Sequence, residues 1–188
     1  PGHNVRLMNK EGGFIKEENE EGEIVVNSSS PSTFLGYWNN KKETEKKIID
    51  GWLHTGDYAT LDEDGYFYFK GRKDDLINSS GYRIGPSEIE NTILSIDEVE
   101  MAAVVGVPDD LRGQIIKAVI VPRNKTYIDS QNPELKDKIK NKVKNKLAAH
   151  EYPRIIEFVN ELPLTTTGKI KRNIIRENHL RKINERKI

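Results

Sequence analysis

Apolar and polar residues follow one rhythm through the first seventy positions and another afterwards. Val5-Arg6-Leu7-Met8 and Glu23-Ile24-Val25-Val26 read as short strands, with Gly12-Gly13 marking a turn between them. The acidic run Glu17 to Glu21 is most simply an exposed hairpin loop. Tyr58-Ala59-Thr60-Leu61 and Tyr66-Phe67-Tyr68-Phe69 have strong β composition and flank Asp62-Glu63-Asp64-Gly65, a turn. Between these regions, residues 42–50 predict a helix that ends at Gly51, a residue suited to the left-handed conformation beyond a helix end. The first 70 residues are therefore predicted to be mostly β.

The rhythm changes after Gly71-Arg72. A hairpin is expected from Asp75–Asn78 and Tyr82–Gly85 around Ser79-Ser80-Gly81. Ser87-Glu88-Ile89-Glu90 is a capping-box pattern, predicting a helix start. Ile89, Ile93 and Ile96 give that helix an apolar stripe. Val99–Val107, Gln114–Pro122 and Ile155–Val159 predict strands. Asn132-Pro133 pairs an N-cap with proline at the first helical position. Leu135, Ile139, Val143 and Leu147 then recur every four residues along one helical face. A last helix is expected from about Arg172 onward. Strands alternating with helices predict a small sheet covered by helices, with a boundary near residues 71–75.

Composition narrows the function classes. The chain has 188 residues, enough for a core and one or two small domains. Thirty lysines and arginines balance thirty aspartates and glutamates, so no global field favours nucleic acid or a membrane surface. Without cysteine there is no disulfide, no thiolate zinc site and no thiol nucleophile, which fits a reducing compartment. No apolar run reaches the ~18 residues of a membrane span, and no signal peptide is visible. The chain opens on Pro1 rather than Met, so a piece of a longer protein is expected.

Several polar clusters carry candidate chemistry. Trp52-Leu53-His54-Thr55-Gly56-Asp57 is read as a strand ending in a carboxylate, and such an Asp can accept both hydroxyls of a ribose diol. Taken alone it is more simply a turn Asp bonding its own backbone. Gly71-Arg72-Lys73-Asp74-Asp75 reads blandly as a surface ion-pair cluster. Ser79 to Pro86 places two glycines around Arg83, as a tight turn alone would. Thr165-Thr166-Thr167-Gly168-Lys169-Ile170 gathers hydroxyls, a glycine and a lysine, but it is not a Walker A loop. Pro163 stands where that loop needs its first glycine, and Ile170 where it needs a hydroxyl. His54 is read as structural, and His3, His150 and His179 have no metal-ligand spacing.

In order along the chain, WLHTGD, GRKDDLINSSGYRIGPSEIE and LPLTTTGKIKR closely resemble the last motifs of the adenylate-forming superfamily. That superfamily comprises acyl-CoA synthetases, peptide-synthetase adenylation domains and firefly luciferase. SSGYRIGP and Tyr152-Pro153-Arg154-Ile155-Ile156-Glu157-Phe158 look most like medium-chain acyl-CoA synthetases. The resemblance covers nearly the whole chain. It implies an α+β fold: residues 1–72 as the β-rich end of a large N-terminal domain (a partial β-barrel), 73–74 as a hinge, and 75–188 as a small C-terminal lid.

It also implies an ATP-dependent carboxylate–CoA ligase that forms acyl-AMP and then acyl-CoA. Lys169 would be the adenylation lysine, with Gly168 keeping the backbone thin and flexible beside it. Asp57 would bind the ribose hydroxyls, and Arg72 the ribose or phosphate. Lys73 and Asp74 would form the hinge. Ser80, Gly81 and Arg83 would lie on the CoA side, with Arg83 on a phosphate of either nucleotide or CoA. ATP, AMP and CoA are the implied substrates, alongside a small carboxylate. Mg2+ would accompany ATP and be bound mainly by the absent N-terminal region, which this piece would need in order to be active. No metal site is expected within this chain, and the cytoplasm or a mitochondrial matrix is the expected compartment.

Two other readings compete. A peptide-synthetase adenylation domain would use a carrier protein as acceptor, and the wording of SSGYRIGP argues against it. A nucleic-acid module would use Lys136, Lys138, Lys140, Lys142, Lys144 and Lys146, together with the seven basic residues from Lys171 to Ile188. A solvated helix face with a basic end explains these more simply in a net-neutral chain.

Overall fold

A computed structural model describes residues 2–185, which divide into two compact units, Pro1–Asp74 and Asp75–Ile188. Arg186 and Lys187 of the basic tail lie outside the described residues. The first unit is a five-stranded antiparallel sheet. Strands β1 (Val5–Met8), β2 (Gly22–Asn27) and β4 (Trp52–Leu61) are neighbours in that order. Two further strands, β3 (Ile48–Ile49) and β5 (Phe67–Arg72), both pair with β4. Leu7, Ile15 and Ala59 form its small buried cluster.

Helix α1 is Lys41–Lys47, shorter than the pattern predicts. Gly51 does not cap it. Asp50 and Gly51 both have positive φ, +50° and +79°, and form the two-residue turn of the β3–β4 hairpin. An Asp-Gly pair between apolar residues is a strong hairpin signal, because this turn needs left-handed backbone at both positions. It overrode the helix-end reading of the same glycine.

The second unit is built on a long hairpin, β8 (Val99–Asp109) and β9 (Gly113–Pro122), in register from Val99 opposite Pro122 to Asp109 opposite Gly113. Strand β10 (Ile155–Phe158) runs parallel to β9, and β6 (Ile77–Ser79) joins β9 through Ser79 and Gly113. Strand β7 (Tyr82–Ile84) pairs with β6. Both faces of the hairpin are covered. Ala102, Val104, Ile116 and Ile120 point to one core, which α2 (Pro86–Leu94) and α4 (Pro133–Lys146) close with Ile89, Ile93, Ile139 and Val143. Ala103, Val105, Val107 and Val119 point to the other, with Leu162 and Ile175, the latter on α5 (Arg172–Glu185). Burial on both sides is why this stretch reads as an unbroken apolar run instead of an alternation.

Two helix starts differ in quality. Asn132 caps α4 as expected, its side chain accepting from the Leu135 N–H at 2.8 Å. Helix α2 begins two residues earlier than the capping-box pattern predicts. Its N-cap is Gly85, Pro86 takes the first turn, and no side chain caps it. Glu90, which that box would send back to the cap, is buried and turned inward instead. A short helix α3 (Thr126–Ser130) was not predicted.

Candidate functional site

The expected site residues fall in both units. In the first, Asp57 is not at a strand end. Strand β4 runs straight through it as ten residues. Position 57 is nonetheless special, because the strand bulges there. Glu23 faces Tyr58 and Val25 faces His54, so Thr55, Gly56 and Asp57 together stand against Ile24 alone. Gly56 takes φ +79° inside the bulge. Thr55 fixes the shape, donating its hydroxyl to the Ile24 carbonyl at 2.7 Å and accepting from the Asp57 N–H at 3.0 Å. Bulges re-aim side chains, and this one aims a carboxylate.

Asp57 lies directly across from Arg72 on β5. Arg72 Nε is 3.3 Å from Asp57 Oδ1, without hydrogen-bond geometry. That oxygen is closed off from solvent and has no hydrogen-bond partner among the described residues. The Asp57 side chain as a whole is about a third exposed, so the rest of the carboxylate faces solvent. A Cβ added at Gly56 would lie 3.4 Å from Arg72 Nη2 and 3.7 Å from Lys47 Nζ. Two cations therefore converge on thin backbone beside an acceptor.

Glu23 was missed by sequence reasoning, yet it organises the bulge. Buried in the sheet, its carboxylate accepts from the Gly56 N–H at 3.0 Å and meets His54 Nδ1 at 3.2 Å. Lys73 Nζ stands 3.6 Å away, and the Lys73 N–H donates to the Gly56 carbonyl at 2.7 Å. Burial pushes the Glu23 carboxyl up, but the His54 hydrogen bond, the Lys73 charge and the Gly56 N–H together outweigh it and hold it below the ordinary glutamate value. A usable signal did exist. Glu23 and Val25 are two residues apart and share a strand face, and Val25 is fully buried. Lys47 was also missed. It looks like any lysine in a charged helix, and only the β3–β4 turn brings it near Gly56.

In the second unit, Ser80 and Gly81 are the two-residue turn between β6 and β7, with φ +51° and +87°. A Cβ at Gly81 would meet nothing within 4 Å, so the space above it is open. Tyr82, next along, stacks on His150 at 3.9 Å between ring centroids. Arg83 lies opposite Asn78 in the same hairpin.

Thr165 to Lys169 form a closed turn instead of a loose loop. Leu164 bridges Ile170, the Thr165 N–H donates to the Lys169 carbonyl at 2.8 Å, and the Lys169 N–H donates to Thr165 Oγ1 at 3.0 Å. Gly168 supplies φ +81°, so its contribution is left-handed geometry, not slack. Lys169 is exposed, and no partner for its ammonium is found among the described residues.

The α4 lysines are largely engaged locally. Lys138 pairs with Glu98 and Lys140 with Asp137, while Lys136 and Lys144 lie over the rings of Phe158 and Tyr152. Among the described residues no group of three or more His, Asp or Glu could hold a metal ion. Nor, among the described residues, is any helix long and apolar enough to cross a membrane.

Comparison with known proteins gives this geometry a family. The family model of the AMP-binding enzyme C-terminal domain matches residues 88–169. The 4-hydroxybutyrate–CoA ligase 1 of Metallosphaera sedula is 46% identical over 179 residues, 94% of this chain and 31% of that protein. The mitochondrial acyl-coenzyme A synthetase ACSM4 of Mus musculus is 44% identical over 181 residues, covering 93% of this chain and 30% of that protein. The solved anthranilate CoA ligase AuaEII, in complex with anthranoyl-AMP, superposes with a TM-score of 0.82 at 34% identity, over 94% of this chain and 33% of that one. The chain thus spans about a third of the length of the relatives it matches. Its residues 88–169 are an AMP-binding enzyme C-terminal domain, and almost the whole chain is homologous to about a third of the length of acyl-CoA ligases.

Proposed function

We propose that the protein carrying this chain is an ATP-dependent carboxylate–CoA ligase, and that the chain supplies part of its nucleotide site and its lid. In the first step a carboxylate oxygen attacks the α-phosphorus of ATP, the bond to the β-phosphate breaks, and pyrophosphate leaves with acyl-AMP formed. In the second the sulfur of CoA attacks the acyl carbon, the bond to AMP breaks, and the thiol proton goes to solvent. The first step presses two anions together. A lysine ammonium between them reduces that repulsion and stabilises charge as it shifts. Lys169 takes this role.

The observation that carries the reading is the Lys169 ammonium: exposed, without a partner among the described residues, and mounted on a turn closed at both strands. Asp57 accepts the ribose hydroxyls through the exposed part of its carboxylate, and Arg72, with Lys47 near, faces the phosphate side. Lys73 and Asp74 form the hinge about which the lid turns between steps. Ser80 and Gly81 then leave room for the pantetheine arm, and Arg83 holds a phosphate of nucleotide or CoA. The Mg2+ that accompanies ATP is held, on this reading, by residues outside the chain. A compartment supplying ATP and CoA follows, cytoplasm or mitochondrial matrix.

The test is a panel of carboxylates on the complete protein, with AMP release followed with and without CoA. AMP release that needs both a carboxylate and CoA is expected. Lys169→Ala should slow adenylation by ~10²–10³-fold, the usual loss for one preorganised electrostatic contact. It should leave thioester formation from supplied acyl-AMP nearly unchanged. Equal damage to both half-reactions would sink the assignment.

A further inference from the structure

A second charge cluster lies beneath the Lys169 turn, and nothing in the chemistry above uses it. Arg172 begins α5, three residues after Lys169. Its Nη2 donates to both oxygens of Glu90 at 2.8 and 2.7 Å. Glu90 sits on α2, buried, and also accepts from the Val104 N–H of β8 at 2.8 Å. Arg172 Nη1 reaches Asp75 at 3.5 Å, and Arg176, one turn further along α5, reaches the other Asp75 oxygen at 3.5 Å. Two arginines and two carboxylates from three separate stretches are thus locked together with little solvent contact.

We infer that Arg172 is a positioning residue: through Glu90 and Asp75 it ties the base of the lysine turn to the body of the lid and to the residue that follows the hinge pair Lys73-Asp74. The inference rests on the role proposed for Lys169. The turn has two legs. Leu162 anchors one by burial in the core shared with Ile175. The other leg packs Ile170 against the same core, and the Lys171 N–H donates to the Pro163 carbonyl at 2.8 Å, so the ion cluster at Arg172 is the first charged attachment beneath a turn already closed on itself. Three residues of extended chain span about 10 Å. At that arm a slack of ~6° displaces the lysine backbone by about 1 Å, and a misplacement of that size can cost ~10²-fold in rate.

A bland alternative is that the cluster only stabilises the domain. Buried ion pairs are poor stabilisers relative to apolar packing, and fixing one geometry is a better-attested use of them. Placement argues the same way. Asp75 lies 97 residues before Arg172 in the chain, at the very start of the unit. A cluster serving only to hold α5 down had no need of that residue.

The test uses Arg172→Lys, Arg172→Met, Glu90→Gln and Asp75→Asn in the complete protein, with each half-reaction measured separately. Arg172→Met and Glu90→Gln should each lower the adenylation kcat by roughly 10-fold or more, an effect of the kind expected when a reacting group is misplaced. KM for ATP and thioester formation from acyl-AMP should stay within about twofold, since a positioning loss falls on the transition state. The double variant should be no worse than the poorer single, because the residues act as one unit. Arg172→Lys should recover part of the loss. If Arg172→Met fails to fold, Asp75→Asn, which leaves the Arg172–Glu90 pair in place, decides the matter by the same readouts. Equal loss in both half-reactions, or additive losses, would overturn the inference. Lys169→Ala separates the two readings. If it abolishes adenylation while the cluster variants do not, only the positioning role falls. If it leaves adenylation intact, the role of Lys169 itself falls.

Discussion

At the scale of single residues, Glu23 shows how one buried charge shapes the backbone around it. Its carboxylate replaces the strand partner that Gly56 loses in the bulge, so the aim of Asp57 depends on it. Since its carboxyl is held below the ordinary glutamate value, the folded protein favours the ionised form. That stability is fully present above the unfolded-state value of about 4.3 and is lost as pH falls through the lowered folded value. Glu23→Gln should therefore destabilise the protein at neutral pH. The gap from the wild type should close under acid, as seen in urea denaturation at a series of pH values. A gap independent of pH would mean that packing, not charge, is what Glu23 contributes. Glu157 behaves similarly. Burial raises its carboxyl, but Lys117 and Lys182 outweigh that and lower it, so acid loosens both units.

At the scale of elements, most helices and strands form where the apolar period placed them, with α3 and β3 the exceptions, but their ends were decided by turn chemistry. Asn132 is the clean case, a capping side chain followed by proline. Asn132→Ala should cost about 1 kcal/mol, a drop in Tm of about 4 °C for a domain of this size. An unchanged melting curve would mean that the Leu135 N–H finds another acceptor. The misread ends share one cause. Gly51 was judged by the helix before it and Ser87 by the box it opens, whereas a hairpin claimed the first and Pro86 started the helix ahead of the second. Likewise β4 was legible at both ends, but as two runs, because Thr55-Gly56-Asp57 breaks the alternation at the bulge.

At the scale of the whole molecule, the proposed hinge is the feature to test. Proline fixes φ near −65°, and hinges concentrate their rotation in very few residues. Asp74→Pro should therefore trap one lid orientation, so that one half-reaction survives and the other is lost. Normal rates for both would place the rotation elsewhere. Much of the molecule was legible in one dimension. Hydrophobic period and turn residues determined most of the strands and the α4 face, since these depend on neighbours within a few positions. The motif order likewise carried the family. What only the tertiary structure decided is which distant charges meet. Glu23 finds Gly56 33 residues away, and Arg172 finds Glu90 82 residues away. A periodic pattern records which face a side chain occupies, but not what stands opposite it. That is why two buried glutamates, each in an otherwise ordinary element, stayed hidden until strand register and helix packing brought them to their partners.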